Sequence, residues 1–143
     1  MNIGFTGTRD GMTEAQKKSV KYLLETNRPE CVIHGDCVGA DADFDRIAAS
    51  LNIDRYIFPS NINDLRAHCE KLGAKSIFEN HVNEPMPPLI RNGSIVQNAD
   101  LIIACPKETK EITRSGTWST IRKARAVHAH VFIIYPDGFY VDK

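Results

Sequence analysis

The sequence has no excess of charge of either sign: 18 Lys and Arg stand against 18 Asp and Glu, a formal net charge of +0. A nonspecific DNA or RNA binder carries a basic surplus to neutralise the phosphate backbone. That class therefore loses its usual electrostatic support, and only a small basic groove stays open. Long apolar runs are missing too, none approaching the roughly 18 residues of a membrane span. The first strand-like run begins at Asn2. This leaves no room for a signal or transit peptide ahead of it, and the expectation is a cytoplasmic protein with no membrane partner. Cysteine is sparse: Cys31, Cys37, Cys69 and Cys105 form neither a CxxC pair nor a close Cys/His set. No metal site and no cofactor are expected from that spacing. Cys31 and Cys105 fall in apolar runs, where buried reduced thiols are expected.

What is present is ordinary for a globular protein, with 42% hydrophobic and 25% charged residues in a chain of 143. At about 150 residues per domain this predicts a single domain over residues 1–143. A domain near this size buries roughly 68 to 70% of its unfolded surface without a disulfide or metal staple.

Two hydrophobic periods alternate along the chain. Asn2 to Thr6 has strand character, and Gly7-Thr8-Arg9-Asp10-Gly11 is a turn. Thr13 to Gln16 reads as a capping box that opens a helix carrying Val20, Leu23 and Leu24. Cys31 to His34 is a second strand, followed by Gly35-Asp36-Cys37-Val38-Gly39 and a helix with Phe44, Ile47, Ala48 and Leu51 on one face. Arg55 to Phe58 is a third strand. Ser60 to Pro88 is polar, includes Pro85 and Pro87, and is expected to be a loop crossing the sheet, with a helix over Asn63 to Leu72. Pro88 opens a helix to about Asn98, Leu101 to Cys105 is a fourth strand, and Lys107 to Arg114 is a charged loop. A helix then carries Trp118, Ile121 and Ala124, and Val131 to Tyr135 is the last strand.

Alternating strands and helices with short links predict an α/β fold with a doubly wound parallel sheet, strand order 3-2-1-4-5. The crevice of such a sheet lies where the order reverses, outside the carboxyl ends of strands one and four.

Three turns on that edge could carry chemistry. In the first, Gly7 gives backbone room, Thr6 and Thr8 offer hydroxyls, and Arg9 could grip phosphate; a merely tight turn is the competing explanation. The second holds Gly35, Asp36, Gly39 and Asp41. Its carboxylates repel phosphate but accept hydrogen bonds from ribose hydroxyls, or simply favour a helix N-terminus. Ser115-Gly116-Thr117 is the best phosphate candidate, because Gly116 lets a ligand approach, two hydroxyls donate, and the positive helix end faces the anion. Trp118 could stack on a base or belong to the core. Arg91-Asn92 gains interest from its position beside the crevice. His34 fits a core histidine with a backbone partner, and no Ser/His/Asp order stands out.

Taken together, Gly4 to Arg9, His34-Gly35-Asp36-x-x-Gly39-Ala40-Asp41, Arg91-Asn92 and Ser115-Gly116-Thr117 resemble the SLOG superfamily. That group joins DNA-processing protein A with the "lonely guy" nucleotide phosphoribohydrolases. The likeness spans about Asn2 to Tyr135 and is greatest to the small bacterial and phage SLOG proteins of unknown function, the DUF2493 and YspA-like group. The resemblance implies a Rossmann-like sheet, nucleotide-type ligands and a homodimer. In the phosphoribohydrolases an Arg lies nine residues before an Asp, as Arg91 does before Asp100 here. A glycine-rich motif ending in a catalytic Glu follows. Here Gly116 and Thr117 match that motif, but Thr120 stands where the Glu would be. A neutral hydroxyl neither stabilises an oxocarbenium-like transition state nor activates water as a carboxylate does.

The leading expectation is a protein that binds a nucleoside monophosphate, ADP-ribose or a signalling nucleotide as sensor or carrier. Thr6 to Arg9 and Ser115 to Thr117 would sit on phosphate, Asp36 or Asp41 on the sugar, and Arg91 would complete the anion site. The alternative is a nucleotide N-glycosidase using Arg91 with Asp36 or Asp41 as relocated carboxylate. Single-stranded nucleic-acid binding ranks third.

Overall fold

The computed structural model describes residues 1–76 and 88–142. Among the described residues, seven strands form one sheet in the order β4-β3-β2-β1-β5-β6-β7. They are β1 (Asn2–Gly7), β2 (Cys31–His34), β3 (Asp54–Ile57), β4 (Lys75–Ser76), β5 (Leu101–Cys105), β6 (His130–Ile134) and β7 (Tyr140–Asp142). The helices are α1 (Glu14–Asn27), α2 (Ala40–Ser50), α3 (Pro88–Asn98) and α4 (Gly116–Ala126).

The central five strands, β3-β2-β1-β5-β6, are parallel and follow the expected order. Two edge strands extend it. β4 adds a parallel pair to β3, and β7 returns antiparallel to β6 through the Pro136–Gly138 turn, where Gly138 has φ 86°. Both are too short to announce themselves by alternation. The predicted helix over Asn63 to Leu72 is instead two 3-10 turns, Asn63–Leu65 and Cys69–Leu72, parted by an extended Arg66. Buried ties from this segment to Asp36 replace helix hydrogen bonds: Arg66 Nε and the Cys69 N–H both reach its carboxylate. Residues 77–87 of the expected crossing loop, with Pro85 and Pro87, lie outside the described residues, and Lys75–Ser76 of it form β4. Cys31 is half-buried rather than buried, its thiol 3.0 Å from the Asn2 side chain.

Successive side chains of a strand face opposite ways, and the sheet uses this to build two cores. Ile3, Phe5, Leu101, Ile103 and Cys105 meet Val20, Leu23 and Leu24 of α1 and Phe44 and Ala48 of α2. Phe5 and Phe44 stack with centroids 4.2 Å apart. On the other face Ile102, Ala104, Val131 and Ile133 meet Ile95 and Val96 of α3 and Trp118, Ile121 and Ala124 of α4. β5 is buried along its whole length, as a parallel strand covered on both faces must be. The capping box of α1 is present, with Thr13 accepting from the Gln16 N–H and Gln16 returning to the Thr13 N–H. Ser115 caps α4 through its Oγ and the Trp118 N–H.

Helices on both faces leave the carboxyl edge open between β1 and β5, because the chain leaves β1 toward β2 and returns on its other side as β5. No helix among the described residues is long and apolar enough to cross a membrane.

Candidate functional site

A cavity of about 610 Å³ opens at that reversal point. Its walls bring together Thr6, Gly7, Thr8 and Arg9 from the end of β1, Gly35, Cys37 and Asp41 from β2 and α2, Arg91 and Asn92 from α3, and Ser115, Gly116 and Thr117 from α4. Eleven of the fourteen residues singled out in the sequence therefore line one space: all but Asp36, Gly39 and Trp118.

The β1 turn is fixed by backbone bonds on both sides. The Thr8 N–H donates to the Cys105 carbonyl at 3.1 Å, and the Thr8 carbonyl accepts from the Ala40 N–H at 2.9 Å. Arg9 is exposed and makes no ion pair with a described residue; the same holds for Arg114. Lys107 pairs with Asp10 at 2.9 Å on the rim.

At the α4 end, the Ser115 hydroxyl satisfies the Trp118 N–H, and the N–H groups of Gly116 and Thr117 precede the first intrahelical bond. A Cβ added at Gly116 would meet nothing within 4 Å, so this helix end faces empty space. Exposed N–H groups at a helix N-terminus attract an anion.

Arg91 is 4% exposed and forms no ion pair with a described residue. Its guanidinium instead donates to the carbonyls of Gly35 and Phe58, to Asn92 Oδ1 at 2.8 Å and to Cys37 Sγ at 3.4 Å. A Cβ at Gly35 would lie 2.3 Å from Arg91 Nη1, so glycine is what admits the guanidinium. A buried cation whose described partners are all neutral is costly, and an anion in the cavity would compensate it.

Asp41 is buried in the first turn of α2, and its Oδ2 accepts from the N–H groups of Gly35 and Cys37 at 3.2 and 3.1 Å. Burial pushes its carboxyl above the ordinary range, against the pull of His34 and Arg91. Burial, reinforced by Asp41, likewise raises the Cys37 thiol, which keeps it protonated on the cavity wall.

Asp36, Gly39 and Trp118 stand elsewhere. Asp36 is fully buried with φ 58°, its carboxylate held by Arg66 Nε at 2.9 Å and the Cys69 N–H at 2.8 Å, so it holds the loop together. Gly39 has φ 90°, and a Cβ there would lie 2.2 Å from the Arg9 carbonyl oxygen: the close approach is by Arg9's own backbone. Trp118 is 2% exposed in the α3/α4 core, and its Nε1 donates to Glu108 at 3.0 Å. It anchors the charged loop and does not stack in the cavity. Thr120 is fully buried, donates to the Gly116 carbonyl at 3.0 Å and does not line the cavity.

Sequence reasoning missed Lys107, Glu108, Ile112 and Arg114, all on the wall. Their signal was present: the loop leaves the carboxyl end of β5 and returns at Ser115, so it must border any ligand on α4.

His34, Asp45 and Cys69 hold ligand-type atoms within 4.8 Å of one another. His34 Nδ1 accepts from the Asp36 N–H at 3.0 Å, so Nε2 carries the proton and donates to Asp45 Oδ1 at 2.8 Å. Asp45 Oδ2 takes Arg55 at 2.7 Å, and burial pushes the Cys69 thiol far up. Each ligand atom is already committed to a proton or an ion pair, which suits a buried hydrogen-bonded network and not a metal.

No family model matches the chain, and no curated protein matches it. Among solved structures it is similar to DNA processing protein A from Streptococcus pneumoniae, at 19% identity and a TM-score of 0.69 over 92% of this chain. It spans about half of that protein, covering 49% of its chain. It is also similar to the molybdenum cofactor binding protein of the phototrophic bacterium Rippkaea orientalis, at 17% identity and a TM-score of 0.68, covering 94% of this chain and 76% of that one. At such identities the likeness is one of architecture: the chain has a Rossmann-like fold similar to that of DNA processing protein A.

Proposed function

We propose that the cavity binds a nucleotide or nucleotide-derived ligand, such as a nucleoside monophosphate, ADP-ribose or a signalling nucleotide, and that the protein acts as sensor or carrier. The observation that carries this reading is Arg91, a buried cation without a carboxylate partner among the described residues, on the same wall as the open N-terminus of α4. Thr6, Gly7, Thr8 and Arg9 with Ser115, Gly116 and Thr117 hold phosphate, and Arg91 and Asn92 complete the anion site. A small-molecule ligand also agrees with the likeness to a protein named for binding the molybdenum cofactor.

The test is calorimetry and thermal shift of the full chain with AMP, GMP, NAD, ADP-ribose, cyclic nucleotides and inorganic phosphate. Binding of a phosphate-bearing compound, weakened by Gly116→Asp, is the expected result. No binding across the panel overturns the reading. The likeness to a protein named for DNA processing keeps single-stranded nucleic acid as a less favoured reading, and an oligonucleotide belongs in the panel. With a net charge of +0, weak binding is expected even at low salt.

Turnover is a second reading, favoured by Asp41, whose carboxyl lines the cavity and is held above its ordinary range as a general acid would be. It predicts free base released from a nucleoside monophosphate and abolished in Arg91→Ala; chromatography of the same samples reads it. A homodimer, implied by the resemblance, has the exposed Leu89 and Ile90 of α3 as candidate contacts, and light scattering on the full chain tests it.

A further inference from the structure

Asp41 is 5% exposed and lines the cavity. Both N–H groups that reach it, from Gly35 and Cys37, converge on Oδ2. Oδ1 takes no hydrogen bond from a described residue and is not one of the fully buried, unpartnered side-chain atoms, while Asp41 lines the cavity. Arg91 does not come within ion-pair distance of it, because its guanidinium is spent on Gly35, Phe58, Asn92 and Cys37. Polar atoms so deep in a protein are nearly always partnered. The fold does not require a carboxylate here, since an amide oxygen would serve the two N–H groups equally well. In its ionised form the carboxylate only accepts hydrogen bonds, so what Oδ1 lacks in that form is a donor.

The identity of that donor follows from place. Ala40, one residue before Asp41, donates its N–H to the Thr8 carbonyl, and a Cβ on Gly7 would lie 2.5 Å from the Ala40 Cβ. Asp41 therefore adjoins the turn that faces phosphate in the reading above. In a nucleotide the group bonded to phosphate is the sugar, and the base lies one sugar further away.

We propose that Asp41 is a specificity-determining residue that accepts a hydrogen bond from a sugar hydroxyl of the ligand through Oδ1. The cavity then selects hydroxylated sugar phosphates over their deoxy counterparts. This rests on the phosphate reading of the cavity. A missing hydroxyl leaves the buried acceptor unpaired, which is expected to cost on the order of 10- to 100-fold in affinity.

The experiment is calorimetric titration of the full chain with inorganic phosphate, with ribose 5-phosphate against 2-deoxyribose 5-phosphate, and with AMP against its 2′- and 3′-deoxy forms. The expected result is a preference of that size for the hydroxylated member of at least one pair, with Asp41→Asn reducing it to the level of the deoxy compound. Asparagine keeps an oxygen for Gly35 and Cys37 and puts an NH2 where Oδ1 was. The wild-type comparison needs no variant, so a poorly folded Asp41→Asn protein leaves the test intact. Phosphate esters that bind with no hydroxyl preference overturn this assignment and leave the phosphate reading standing. Failure of every phosphate-bearing compound to bind overturns both.

Discussion

The Arg91 guanidinium lies against the backbone of Gly35, donating to its carbonyl, in the space that a Cβ at Gly35 would occupy 2.3 Å from Nη1. One residue comes from the loop after β2 and the other from α3, so the placement of this guanidinium depends on a hydrogen atom at position 35.

Gly35→Ala is expected to leave the fold in place and damage the site. The atom it collides with is the far end of a flexible side chain, which moves more cheaply than backbone. Displacing Arg91 removes charge-assisted hydrogen bonds to an anion, of which each contributes about 1.5 to 3 kcal/mol. Circular dichroism should be unchanged while affinity for the proposed phosphate-bearing ligand falls about 10- to 100-fold. Unchanged affinity would mean that Arg91 does not touch the ligand.

Gly116→Asp separates binding from stability in the opposite sense. The added side chain enters open space, and a carboxylate in the first turn of α4 stabilises the helix by about 0.3 to 1 kcal/mol. The melting temperature should hold or rise while binding of phosphate-bearing compounds falls at least about 10-fold, since like charges in a binding site cost several kcal/mol. Lost stability would show that the helix end is not open.

Asp41 should show its burial through pH. With its folded-state value raised, the unfolded chain releases this proton first as pH climbs, so the native state binds more protons and stability falls with rising pH across that window. Asp41→Asn has no such loss. The melting temperature of Asp41→Asn minus that of wild type, without ligand, should become more positive from about pH 4, near the ordinary carboxyl value, toward pH 7. A flat difference would contradict the shift.

Asp45 holds His34 at 2.8 Å and Arg55 at 2.7 Å from 1% exposure. Asp45→Ala strands a largely buried guanidinium and is expected to cost about 3 to 5 kcal/mol in a denaturant titration. Zinc should not raise the melting temperature of the wild type, and a chelator should not lower it. A zinc-dependent rise would mean that His34, Asp45 and Cys69 exchange their proton network for a metal.

The central fold was legible because its determinants are local. Apolar runs at Ile3–Phe5 and Leu101–Cys105, the Thr13–Gln16 capping box, and a helix opening at Pro88 and ending at Asn98 are periodicity and capping written along the chain. The sheet order of those strands and the crevice at their carboxyl ends follow from crossover connections between parallel neighbours. So do the residues that leave strands on that edge, from Thr6 to Arg9 and from Ser115 to Thr117. Where a side chain meets a partner distant in sequence, only the tertiary structure decided. Arg66 and Cys69 claim Asp36 from about thirty residues away, whereas its neighbour Asp41 faces the cavity; both are acids flanking the same loop, and composition cannot tell them apart. Gly39 yields to Arg9's backbone and Gly35 to a side chain of α3. Trp118 turns inward because its indole N–H finds Glu108, a pairing set by how the charged loop folds over α4. Short-range rules place the elements; which buried polar group is left unpartnered depends on contacts between them.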